Sequence, residues 1–181
     1  ATSYAVLHIF PAIIPGEIGY KFMLGDALDL FTPFLLLYIV YKLYKKVHIN
    51  SLANHYTKYV DLLLIVGAIA FVEGHGMHLA ANAIFRHLET TATPLYKLTY
   101  FFDETLGHIL WDGGLLLVAI GLMLSSRDEQ GILYANHVML ITLAALLYGF
   151  TYFVNVVEGQ TVIFTFPAAI ILPILIILNA D

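Results

Sequence analysis

With 181 residues, 60% of them hydrophobic and only 12% charged, the chain is far from the roughly 25% charged residues of an ordinary soluble domain. Its length suits a single integral membrane domain, 1–181, of four to six helical spans at about 20 residues each, joined by short loops. A net charge of -5 without an extended basic footprint excludes nucleic acid as a partner, and the absence of cysteine excludes disulfides, thiolate metal sites and thiol nucleophiles.

The N-terminal AVLHIFPAIIP is too short to cross a bilayer and holds two prolines, so it reads as an interfacial or re-entrant piece on the outer side. No intact signal peptide is visible, and the start reads as a processed or trimmed end. Five apolar stretches follow as expected spans: 28–44, ending at Lys45 and Lys46; 59–87; 98–124, after the polar turn HLETTATP; 132–157, after SSRDEQG; and 162–178, whose Pro167 and Pro173 are tolerable in a membrane helix. The expected fold is therefore all-α, a polytopic transmembrane helical bundle of about five spans. Lys42, Lys45, Lys46, Lys58 and Arg127 fall at one end of the spans, against Lys21, Arg86 and Lys97 at the other. The richer side, including the Lys-rich loop 42–58, is expected to be cytoplasmic.

Inside this apolar chain two neighbouring stretches are crowded with ionisable groups: VEGHGMHLAAN, with Glu73, His75, His78 and Asn82, and FFDETLGHILWD, with Asp103, Glu104, His108 and Asp112. Burying such groups in hydrocarbon is expensive, so they mark a functional site by default. At about 100° per residue, His75, His78 and Asn82 share one face of the second span, while Glu104, His108 and Asp112 form a stripe on the third. If these spans make an antiparallel hairpin turning near Ala92, His78 lies level with His108, Glu73 with Asp112, and Asn82 with Asp103. The same construction for spans three and four sets Asn155 level with Asp103 and Glu158 just outside it. Three helices thus bring polar groups to one depth, toward the outer face by the orientation argument, and His8, Glu17, Asp26 and Asp29 fall toward that side.

Histidine with carboxylate and no thiolate suits Zn, Fe or Cu. His75, His78, His108 and Glu104 are the expected metal ligands, with Asp112 as a further ligand or as the group that orients an imidazole. Asn82, Asp103, Asn155 and Glu158 are expected to support them. Glu73 sits about 140° to 160° around the helix from His75 and His78. It becomes a bridging ligand or general base only if Gly74 and Gly76 permit a distortion that swings it inward, and otherwise pairs with another helix. HGMH is not HExxH, and the four-residue step of ETLGH is not the ExxH of four-helix di-iron sites.

Plainer readings stand beside these. The cluster can be a hydrogen-bonded network that fixes the bundle. Trp111 can wall the site or face lipid, Tyr148 and Tyr152 share a face with Asn155, His137 and His87 suit interfaces, His48 and His55 suit a solvated loop, and Lys58 and Asp61 suit interface anchors. The leading expectation is a metal-dependent membrane enzyme, an oxidoreductase or hydrolase, acting on a lipophilic or small apolar substrate. The alternatives are an accessory subunit of a larger membrane complex, a small transporter, and a haem b electron carrier with His78 and His108 as axial ligands. The lipid bilayer is the one partner common to all of them, with other membrane subunits added in the accessory reading.

Overall fold

The computed structural model describes residues 2–50, 57–88, 93–125 and 135–178. The connecting stretches lie outside it, and with them His55, Arg127 and the surroundings of the His48 and His137 side chains. The described chain is an all-α membrane bundle. Four of its helical segments are long and apolar enough to cross a bilayer: Leu24–Lys46, Lys58–Phe85, Pro94–Ser125 and Val138–Glu158. The expected fifth span is helical over its whole length as α8, Val162–Leu178. At 1.5 Å per residue its 17 residues reach only about 26 Å, short of a hydrocarbon core of about 30 Å.

The N-terminal piece forms α1, Thr2–Ala12, with Pro11 accommodated in its last turn. Tyr4 joins Leu36, Phe71, Trp111 and Leu115 in the buried core, and α1 packs against the helices of residues 24–29, 32–50 and 135–158. A short antiparallel ribbon that the sequence did not announce follows, β1 (Glu17–Gly19) and β2 (Phe22–Met23). Its turn residues Tyr20 and Lys21 both take positive φ, 52° and 54°, as the tight turns that match strand twist require. The first crossing then comes in two pieces, α2 (Leu24–Asp29) and α3 (Thr32–Asn50). At the break Thr32 Oγ1 donates to the Leu7 carbonyl at 3.1 Å, tying α1 down.

α4 (Thr57–Phe85) and the third crossing form the heart of the molecule. Tyr44, in the second half of α3, donates to Asp61 near the start of α4, so Asp61 serves as a link between helices. The third crossing starts at α5 (Pro94–Tyr100), capped by the Thr93 side chain on the Tyr96 amide, and ends as α6 (His108–Ser125). Between them Phe101–Gly107 is a π-helical segment. α4 and α6 touch backbone to backbone: a Cβ on Gly74 would run into the Trp111 nitrogen and Gly107 carbonyl, and one on Gly114 into the Phe71 nitrogen. Small residues allow such closeness in membranes, where packing rather than hydrophobic exclusion drives helix association. Gly76, by contrast, faces open space. α7 (Ala135–Glu158) and α8 close the bundle at its side.

Candidate functional site

The polar residues gather where α4, the π-helical segment and α6 meet α1 and α2. Trp111 is the hub. It is 5% exposed, which decides for the wall of the site over lipid. Its ring lies 5.5 Å from His8, 4.5 Å from His75, 5.4 Å from His78 and 5.5 Å from His108, the last stacked at 11°.

His78 and His108 stand at one level, as helical rise implies, with ring centroids 4.7 Å apart in an edge-to-face contact. That contact leaves no gap for a porphyrin plane between them, so this pair does not fit a haem. His78 Nδ1 is 2.8 Å from Asp103 Oδ1. The two atoms do not meet in hydrogen-bond geometry, and both are buried without a hydrogen-bond partner among the described residues. His108 is 2% exposed, and neither ring nitrogen has a hydrogen-bond partner among the described residues. Glu104 Oε2 approaches His108 Nε2 only to 4.0 Å. The His108 ring is also pressed against the turn after α7, where a Cβ on Gly159 would enter it.

The π-helical segment explains which carboxylate faces in. Its i→i+5 bonding widens the turn and brings Asp103 and His108, five residues apart, onto one face. Asp103 is therefore 4% exposed and pairs with His78, while Glu104, expected in the inward stripe, is turned partly outward.

His75 is buried, but its Nε2 donates to the Asp29 carbonyl at 3.0 Å, with the Asp29 carboxylate 3.4 Å away. Since a carbonyl can only accept, the proton is on Nε2. The same logic holds for His8, whose Nδ1 donates to the Tyr4 carbonyl at 2.9 Å and whose Nε2 is buried without a partner. Burial pushes the His8 imidazole down to about 4, so it is neutral near pH 7.

Asp112 is fully buried and does not hydrogen-bond an imidazole. Its Oδ1 accepts from Asn155 at 2.7 Å, its Oδ2 from Thr161, and its carbonyl from Tyr152 at 3.2 Å. Asn155 thus meets Asp112 rather than the expected Asp103, nine residues earlier; α7 is slid along the third crossing relative to an ideal hairpin. Glu73 is on the exposed side of a regular α4 and is not brought to the cluster.

A cavity of about 490 Å³ opens beside the rings, lined by His8, His78, His108 and Trp111 and reaching Asn82, Asn155 and Glu158. Its volume is within the roughly 300–1,000 Å³ of small-molecule sites. Asp26 and Arg86 stand at its rim, joined by a two-pronged ion pair. Lys21 Nζ donates to the Arg86 carbonyl at 2.8 Å and His87 Nε2 to the Tyr20 carbonyl at 2.6 Å, so the ribbon is strapped to the end of α4. Among the described residues, no three His, Asp or Glu side chains stand close enough together to hold a metal ion without moving. His8 and Asp29, expected only on the same side as the cluster, and Thr161, not expected there, come from segments distant in sequence, and only the fold joins them to it. No family model, no curated protein and no solved structure matches the chain.

Proposed function

We propose that this chain is a membrane enzyme that binds a divalent transition metal, Zn, Fe or Cu, at His78 and His108 and acts on a lipophilic or small apolar substrate in the adjoining cavity. The observation that carries the reading is the His108 imidazole, buried with both nitrogens unpaired, against the His78 ring, whose Nδ1 stands 2.8 Å from Asp103 Oδ1. An unmet buried polar group costs about 1–3 kcal/mol. A metal relieves that cost, and an imidazole anchored by a carboxylate is the usual form of a histidine ligand. Glu104, turned partly outward with its Oε2 4.0 Å from His108 Nε2, would supply the carboxylate of the set by swinging inward. Bound zinc would activate water for hydrolysis, whereas iron or copper would support oxidation. By the lysine bias of the loops, the cavity opens toward the outer face.

A second reading, a proton path within a transporter or accessory subunit, is favoured by the imidazoles packed around Trp111 with no three donors yet converged. Elemental analysis of the purified protein separates the two. The enzyme reading expects about one metal per chain, lost in His78→Ala and in His108→Ala and retained in His137→Ala. Folded wild-type protein without stoichiometric metal would leave the proton path.

A further inference from the structure

Glu73 is exposed on the side of α4 away from the cavity, and among the described residues it has neither a hydrogen bond nor an ion pair. Its depth makes this costly. Within the span Lys58–Phe85 it stands fifteen residues from one end and twelve from the other, so about 22 Å and 18 Å of helix separate it from the two ends at 1.5 Å per residue. A side chain of two methylenes cannot snorkel that far. Outside the chain at this depth lies hydrocarbon, where a carboxylate is expensive unless another group meets it.

The face around it suits close approach. Leu62, Val66, Ile69, Glu73, Gly76 and Ala80 recur at three- and four-residue steps and are all exposed, which lines them up along one side of the helix. A Cβ on Gly76 would meet nothing, so this glycine, unlike Gly74, serves no packing within the chain. Glycine four residues before alanine is the small-residue spacing that lets a second membrane helix pack closely. Lipid does not answer Glu73, because charged headgroups lie at the interface. Nor does a second copy of the chain: each of its eight Lys and Arg lies outside the spans or within about one turn of a span's end, and a two-fold pair through this face would set Glu73 against Glu73.

We infer that this face of α4 docks a membrane-spanning helix of another protein, one that presents a lysine or arginine to Glu73 near the middle of the bilayer and packs across Gly76 and Ala80. The inference is independent of the metal reading.

Energy transfer in phosphatidylcholine vesicles tests this, with the full-length protein carrying a donor at Ser3→Cys in this cysteine-free chain. The acceptor is on a Leu/Ala peptide of about 20 residues, long enough to span, with a single central lysine. That peptide is expected to bind about tenfold more tightly than the same peptide with leucine at its centre, the order of interhelical polar contacts in model peptides. Glu73→Leu and the bulk-preserving Glu73→Gln are both expected to lose most of that preference while unfolding in detergent as the wild type does, and Glu17→Gln, a carboxylate lost from the ribbon, is expected to keep it. Equal binding of the two peptides by the wild type, or a wild-type preference in both Glu73 variants, would overturn the inference. So would energy transfer between copies of the wild-type chain that disappears in Glu73→Leu, which would make a second copy the occupant.

Discussion

The two halves of the bundle are held together by different means. Of the most apolar stretch of Pro94–Ser125, 44% is buried within the protein, against 11% for Val138–Glu158. α4 and α6 are joined by close backbone packing at Gly74 and Gly114, a contact that tolerates no slippage and so fixes His78 opposite His108. α7 and α8 present mostly apolar side chains outward and are tied by a few polar bonds converging on Asp112 from Tyr152, Asn155 and Thr161. In an apolar surrounding, where greasy contact discriminates little between docking positions, a buried aspartate whose carboxylate meets two donors and whose carbonyl meets a third specifies where a loosely packed helix belongs.

The difference between the halves is greatest at the glycines. Gly74→Ala places a methyl against the backbone of Trp111 and Gly107, forces α4 and α6 apart, and is expected to cost on the order of 3 kcal/mol, the upper part of the overpacking range. Gly149→Ala on α7 meets open space and is expected to stay within about 0.5 kcal/mol. Thermal unfolding in detergent measures both, and equal losses would show that the halves do not differ. Next comes Asp112→Leu, which strands Asn155 and Thr161 at about 1–3 kcal/mol for each buried group left unmet. Proteolysis at the turn around Gly159 should rise while the α4–α6 pair stays protected. Arg86→Gln removes the ion pair to Asp26 at the cavity rim, partly exposed and therefore worth about 1 kcal/mol or less; faster amide exchange confined to residues 17–23 is the expected sign. Glu73→Gln, on the exposed side of α4, should change neither metal content nor unfolding by more than about 0.5 kcal/mol.

Much of this was legible in the sequence because helices translate position into geometry simply. A constant rise sets His78 level with His108, and the apolar run 162–178 coincides with α8. The remainder depended on departures from regularity. The π-helical segment moves Asp103 inward and Glu104 outward, and FFDETLG carries no compositional mark of an i→i+5 turn. α1 is too short and too rich in proline to read as a span, so its place in the core, and with it His8 beside Trp111, follows from tertiary contacts alone. The Thr161 to Asp112 bond joins residues 49 apart, beyond the reach of any periodicity. Glu73 was legible both ways, and regular geometry prevailed because Gly74 serves close packing rather than a kink.

In the proposed function two imidazoles on facing helices hold a metal beside the cavity. X-ray absorption at the metal edge of the loaded protein measures this directly. At least two imidazole nitrogens are expected at about 2.0–2.1 Å, with carboxylate or water oxygen completing the shell, and that imidazole signature is expected to be lost in the His78→Ala, His108→Ala double variant. A shell of oxygen donors alone, or one unchanged in the double variant, would contradict it.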